Sequence, residues 1–338
     1  MANHKVIVAG CGGMSNEWLN YAAQRENVEI VALVDLYEET ARKAAEKHGL
    51  NVPIFSDLSA ALAGTEANLV FDVTIPSSHK QIATTALQAG CNVFGEKPMA
   101  ESLADAQEIV TIANASGKRY SVMQNRRYVG NIRALSGFLR SGGIGTLGSL
   151  HADFFLGPHF GGFREAMDSP LLIDMAIHTF DQARFLMGAD PVSVYCHEYN
   201  PPGSWYAGNA SAICLFEMSD GSVFSYRGSW CAQGAPTSWE SEWRATGSGG
   251  TASWDGDHRP VAEIVDGDEG FFRPTKKVEV PDIWTGKQGH FGCLDAMFEA
   301  LEQDRPAETD CTDNIKSVAM VFAALESART GSKISIRV

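Results

Sequence analysis

Cysteine is sparse and scattered: Cys11, Cys91, Cys196, Cys214, Cys231, Cys293 and Cys311. Their number is odd and no two form a C-x-x-C pair. A disulfide framework and a zinc site are both disfavoured, and reduced thiols in the cytoplasm are expected. Long apolar runs are also missing; none approaches the ~18 residues of a membrane span. The opening Met1-Ala2-Asn3-His4-Lys5 lacks the basic, apolar and small-residue sections of a secretory leader, which again predicts a cytoplasmic protein. Positive charge is in short supply. Lys and Arg number 27 against 41 Asp and Glu, a net charge of −14. That balance excludes nucleic acid and anionic membrane surfaces as expected partners and leaves small molecules. Repeats, low-complexity tracts and long linkers are absent too.

What remains is a chain of 338 residues with ordinary hydrophobic content, enough for about two domains. Its first part alternates short apolar runs with helical patterns. The runs at 5–9, 28–34, 53–55, 68–73, 91–95 and 119–123 are β-branched and bounded by glycine or polar residues. They predict buried parallel strands in a doubly wound α/β sheet, a Rossmann-type domain over 1–125. In such a sheet ligands bind beyond the carboxyl ends of the strands.

Those ends carry chemistry. After the first strand comes Gly10-Cys11-Gly12-Gly13-Met14-Ser15, then a helix. Gly10 permits a tight turn, and Gly12 lets backbone approach a pyrophosphate on the helix N-terminus. Ser15 stands where a third glycine is usual. The second strand ends at Asp35, placed to accept both ribose hydroxyls of NAD and to repel the 2′-phosphate of NADP. Leu36 and Tyr37 offer that phosphate no cation, so NAD is favoured over NADP. Asp35 also reads as a helix N-cap, and one carboxylate can serve both roles. Thr74-Ile75-Pro76 with His79, then Glu96-Lys97-Pro98, then Asn125-Arg126-Arg127-Tyr128 mark later strand ends. Alone, Glu96-Lys97-Pro98 also reads as a solvated lysine beside a turn.

Beyond residue 125 the alternation stops. A strand at 148–155 precedes an aromatic, glycine-rich loop containing His159, Phe160 and Arg164. Pro170 opens one helix to 187 that carries Asp174, His178 and Asp181, and the spacing of four puts Asp174 and His178 on one face. Strands at 192–198, 210–217, 222–230, 242–247 and 251–254, with turns at 219–222 and 247–250, predict a large open-faced, mainly antiparallel sheet in an α+β second domain, 126–338. Its C-terminal segment can pack back on the first domain. Phe216, Phe224, Tyr226 and Trp230 are expected to point outward, giving a bare apolar face that predicts a homodimer or homotetramer. Trp205, Trp230 and Trp239 offer flat faces for sugar rings, with core or interface packing as the plainer reading of each.

The order glycine turn, acidic strand end, Thr-Ile-Pro with His79, Glu96-Lys97-Pro98, Asn125-Arg126-Arg127-Tyr128 and Asp174-x-x-x-His178 resembles the Gfo/Idh/MocA family, named for glucose–fructose oxidoreductase, inositol dehydrogenase and a rhizopine-catabolism protein. The resemblance spans nearly the whole chain. It implies a Rossmann domain with an open-faced sheet domain and NAD(P)-dependent oxidation or reduction of a sugar, polyol or derivative. By position it implies Lys97, Asp174 and His178 as the catalytic set. It implies a cofactor site at Gly10, Gly12, Gly13, Met14, Asp35, Leu36, Thr74, Ile75, Pro76, His79, Glu96 and Lys97. Asn125 and Arg126, with Phe155, His159 and Arg164, are the candidate substrate contacts. Ser169-Pro170-Leu171-Leu172-Ile173 replaces the family's usual glycine-rich segment and leaves the substrate class open. The chemistry also follows from the residues: a histidine suits the base that takes a hydroxyl proton, and a lysine stabilises charge on the same oxygen. No metal is expected; Asp174, His178 and Asp181 are the alternative ligand set. Three other readings are an NAD-dependent glycoside hydrolase, a non-catalytic nucleotide-sensing regulator and a structural assembly protein.

Overall fold

The structure, a computed structural model, describes residues 4–338. The chain divides into two compact units, Met1–Asn125 with Lys287–Val318, and Arg126–Gly286 with Ala319–Val338.

The first unit holds a six-stranded sheet of β1 (His4–Ala9), β2 (Val28–Val34), β3 (Ile54–Phe55), β4 (Leu69–Asp72), β5 (Asn92–Gly95) and β6 (Tyr120–Val122). Their order is β3-β2-β1-β4-β5-β6, and every pairing is parallel. The expected doubly wound sheet is therefore present. Its central strands are buried on both faces, which is why they read as unbroken apolar runs. The helix Gly289–Glu302 completes the core: Phe298 meets Phe71 and Phe94 edge-on, with ring centroids 6.1 and 5.1 Å apart. Parallel order sends every carboxyl strand end to one edge, so the glycine turn, Asp35, Thr74 and Glu96 share it.

The second unit holds a nine-stranded sheet. Its strands are β7 (Leu147–Phe155), β8 (Pro191–Tyr199), β9 (Ser211–Met218), β10 (Val223–Ser229), β11 (Glu242–Gly247), β12 (Gly250–Trp254), β13 (Val261–Val265), β14 (Thr275–Glu279) and β15 (Ile334–Ser335). The order is β14-β13-β12-β11-β7-β10-β9-β8-β15; only β7 and β10 run parallel. The mainly antiparallel sheet was thus correctly anticipated.

Which face is covered was not. Phe216, Phe224, Tyr226 and Trp230, expected outside, are all buried. Phe180, from the helix Ile177–Met187, stacks edge-on against Phe216 at 4.9 Å and Tyr226 at 5.3 Å. Strand alternation separates two faces without saying which one a helix will cover. Burying a large ring contributes about 2 kcal/mol, so the aromatic row takes the helix side. The opposite face exposes Tyr195, Ile213 and Leu215, each about half accessible. Beside them lie polar cross-strand pairs, His151 with Ser225 and Arg227 with Asp153.

The single helix expected from 171 to 187 is also two pieces. Leu171–Ala176 is π-helical and Ile177–Met187 is α-helical. Asp174 and His178 lie on either side of that junction, so a spacing of four no longer fixes a shared face.

Candidate functional site

In the first unit, the carboxyl edge of the sheet frames a cavity of about 370 Å³. Gly10, Gly12, Asp35, Leu36, Thr74 and Ile75 line it. Gly10 has φ +86°, and a Cβ there would sit 2.4 Å from the carbonyl oxygen of Val73. No L side chain fits. A Cβ on Gly12 or Gly13 would meet nothing within 4 Å, so both backbones stand open, Gly12 on the wall of the cavity. Ser15, at the third glycine position, is buried at the start of the helix Ser15–Ala22 and donates its hydroxyl to the Gly12 carbonyl at 2.6 Å. A small hydroxyl replaces the glycine here by stapling the turn instead of vacating it.

Asp35 ties that turn to the second strand. One carboxylate oxygen accepts from the Cys11 N–H and the other from the Tyr37 N–H, each at 2.9 Å. Leu36 and Tyr37 beside it are exposed. These residues fit a dinucleotide: bare backbone for a pyrophosphate, and an oriented carboxylate for ribose hydroxyls.

The other expected cofactor residues fall into three positions. Gly13 and Met14 are exposed on the glycine turn, and Pro76 begins the helix Pro76–Gln88. Glu96 and Lys97 follow β5 directly. His79 is fully buried, with its ring nitrogens 2.7 and 3.0 Å from the carbonyl oxygens of Pro98 and Thr74.

Glu96 is buried, and the Lys97 N–H donates to its carboxylate at 3.3 Å. The Trp18 indole N–H donates to it at 2.9 Å, and His290 lies 3.7 Å away. Burial pushes its carboxyl up, but His290, Trp18 and Lys97 together hold it below the usual glutamate range. Asn125 lies 3.3 Å from the other ring nitrogen of His290. His290 and Trp18 were not singled out from sequence; they lie far from Glu96 along the chain, and no local pattern joins them. Asp72 was also missed. It is a polar residue ending an apolar strand at the ligand edge, a signal as good as Asp35.

In the second unit, Arg164 and Asp174 come together: the guanidinium Nε donates to the carboxylate at 2.7 Å. Phe160 and Phe163 flank the guanidinium with ring centroids 5.2 and 4.8 Å away. His178 is buried one turn further on. Asp181 is committed elsewhere, as a two-point partner of the buried Arg127 at 2.6 and 2.7 Å. That pairing engages both Asp181 oxygens with Arg127. Arg126 donates to the Trp239 carbonyl and faces Glu240 at 3.7 Å. Phe155 ends β7 with its N–H on the Thr237 hydroxyl. His159 stacks on Trp205 with centroids 3.7 Å apart. Trp230 is buried against Tyr206, whereas Trp239 is exposed beside Phe160.

Residues 4–124 match the family described as "Oxidoreductase family, NAD-binding Rossmann fold", and residues 132–253 match the "GFO/IDH/MocA C-terminal domain". D-apiose dehydrogenase of Paraburkholderia graminis is 28% identical over 352 residues, covering 98% of this chain and 90% of that protein. An inositol 2-dehydrogenase of Burkholderia ambifaria is 30% identical over 194 residues, 56% of each chain. An Agrobacterium radiobacter oxidoreductase, solved with NAD+, L-tartaric acid and magnesium, shares the fold over 98% of both chains with a TM-score of 0.86 at 21% identity. Both domain matches, in order, agree with the two sheets and the glycine-turn geometry: the chain belongs to the Gfo/Idh/MocA family of NAD-binding oxidoreductases.

Proposed function

We propose that this protein oxidises a secondary alcohol of a sugar or polyol, with NAD rather than NADP as the hydride acceptor. The observation that carries the cofactor preference is Asp35. Its carboxylate is held from both sides by backbone N–H groups at the rim of the cavity, with the uncharged Leu36 and Tyr37 beside it. A fixed negative charge there accepts ribose hydroxyls and repels a 2′-phosphate. The substrate class is supported by the relatives, one a D-apiose and one an inositol dehydrogenase.

NAD supplies the hydride acceptor; the chain supplies the proton chemistry. Lys97, Asp174 and His178 form the catalytic set. His178 takes the hydroxyl proton, Lys97 stabilises charge developing on that oxygen, and Asp174 orients the substrate. Asp174 is held by Arg164, so a substrate hydroxyl that engages this carboxylate meets it already positioned. Asn125, Arg126, Phe155, His159 and Arg164 contribute substrate contacts, with the exposed Phe160 and Trp239 as ring platforms. The protein works as a homodimer or homotetramer through the sheet face that exposes Tyr195, Ile213 and Leu215.

The test combines thermal shift with NADH absorbance across a sugar and polyol panel. NAD should raise the melting temperature more than NADP does. Lys97→Ala and His178→Ala should each lower kcat/KM about 10³-fold while the NAD shift persists. No shift with either nucleotide would remove the cofactor reading. Near-normal turnover in both variants would remove the catalytic set.

A further inference from the structure

Arg164 is held in a way that leaves most of its guanidinium unused. Gly161 and Gly162 both take φ +66°, a left-handed turn between Phe160 and Phe163 that other residues rarely adopt. Both rings reach the same guanidinium, with centroids 5.2 and 4.8 Å from its central carbon. Its Nε donates to one Asp174 oxygen at 2.7 Å. A guanidinium has five N–H donors. The other four, on the two terminal nitrogens, have no hydrogen-bond partner among the described residues. Other paired arginines differ. Arg127 grips Asp181 with two nitrogens, at 2.6 and 2.7 Å, and Arg329 grips Glu326 likewise, at 2.9 and 2.6 Å. A two-point grip turns the fork of the guanidinium toward the protein itself. Arg164 gives Asp174 a single point.

The Arg164 side chain is 36% exposed and that of Asp174 18%, so a ligand can reach both. Two ring contacts and one carboxylate oxygen set the plane of the cation, and its fork stays open. An oriented, open fork suits two-point recognition of a carboxylate or a phosphate. In a chain of net charge −14 an anionic ligand needs such a local cation. The surrounding charges choose between the two anions. Asp174 already sets one negative charge against this guanidinium. Arg126, whose Nη2 lies 3.9 Å from the sulfur of Met175, is committed to the Trp239 carbonyl and to Glu240. Glu165 gives its carboxylate to the Gly161 N–H at 2.8 Å. With one cation on offer, a singly charged carboxylate is favoured over a doubly charged phosphate.

We infer that Arg164 is a specificity-determining residue that receives a substrate carboxylate. The substrate is then a sugar or polyol that carries an acid group, of the aldonate or uronate class. Asp174, proposed above to engage a substrate hydroxyl, lies against the same guanidinium, so one molecule bearing a hydroxyl and a carboxylate meets both. Turnover of such an acid rests on the function proposed above; its binding at Arg164 does not.

The test sets gluconate against glucitol and galacturonate against galactose, with glucose phosphate as a further arm, all read by NADH absorbance. The acid of each pair should show the higher kcat/KM. Arg164→Met keeps an apolar stem against the two rings and removes the fork. It should raise KM for the acids on the order of 10- to 100-fold and affect their neutral partners far less. Arg164→Lys restores the charge without the fork and should lie between the two. Equal losses on acids and neutral partners would overturn the inference and leave Arg164 as a support for Asp174. A preference for the sugar phosphate would overturn the choice of carboxylate. Binding is read separately, by ¹⁵N NMR of the Arg164 Nε in the full-length protein with NAD. Gluconate or galacturonate should move this resonance, and glucitol should not. No movement with either acid would overturn the inference. Should no member of the panel be oxidised, the function proposed above fails by itself, and the Nε resonance still reports on the acid.

Discussion

The two sheets hold their chemistry in different ways. In the six-stranded sheet every pairing is parallel, so the functional groups collect at one edge because chain direction leaves them nowhere else. In the nine-stranded sheet only one pairing is parallel, and no single edge collects strand ends. Its candidate groups come from the π-helical turn with Asp174, the following α-helix with His178, and the loop with Arg164. Topology positions the first site. Individual ion pairs and ring contacts position the second.

Removing the buried Arg127–Asp181 pair is the strongest way to sharpen that contrast. Arg127→Met leaves Asp181 charged inside the second unit and should cost about 3–5 kcal/mol, read as a large fall in melting temperature. Arg127→Met with Asp181→Leu should recover most of the loss. A single variant with wild-type stability would mean that packing, not the ion pair, orders this unit.

The open face of the nine-stranded sheet gives a smaller effect. Leu215→Glu puts a charge among Tyr195, Ile213 and Leu215 and should weaken self-association by about tenfold or more, measured by sedimentation or light scattering against concentration. Monomeric wild-type protein would break this reading outright.

The smallest effect concerns Glu198, near the end of β8. Burial pushes its carboxyl up to about 7, partly opposed by Ser169 and Asn209. The folded state therefore holds this proton more tightly than the unfolded state, whose carboxyl keeps its ordinary value. Between the two values the folded protein binds more protons, so stability falls as pH rises through that window and is level above it. Glu198→Gln should gain about 1 kcal/mol at pH 8, after allowance for partial exposure, and nothing near pH 4. An equal change in melting temperature at both pH values would contradict the assignment.

The contrast also explains what the sequence made legible. Parallel strands buried on both faces are plain apolar runs, so Gly10, Asp35, Thr74 and Lys97 could be placed at one edge from order alone. An antiparallel strand shows its alternation but not its inner side. Alternation alone therefore sets Phe216 and Tyr226 outward, whereas the fold packs Phe180 against both. The π-helical turn at Asp174 left no mark in a pattern that also fits a continuous α-helix. Long-range partners such as Glu96 with His290, or Arg127 with Asp181, require folded coordinates, because nothing near either residue announces the other.

The return of Lys287–Val318 to the first unit has a consequence for the order of synthesis. Tyr21 donates to Asp295, a partner made 274 residues later, and Arg25 waits as long for Glu302. Glu96 likewise emerges well before His290. On the ribosome the nucleotide-binding unit is the first begun, yet it is not finished until Val318, after residues 126–286 of the second unit have been made. Until the helix Gly289–Glu302 arrives, its strands expose the surface that Phe298 will cover. A nascent chain stalled after β14 thus carries every glycine-turn residue, and Trp18 for Glu96, and still lacks the His290 that faces the same carboxylate.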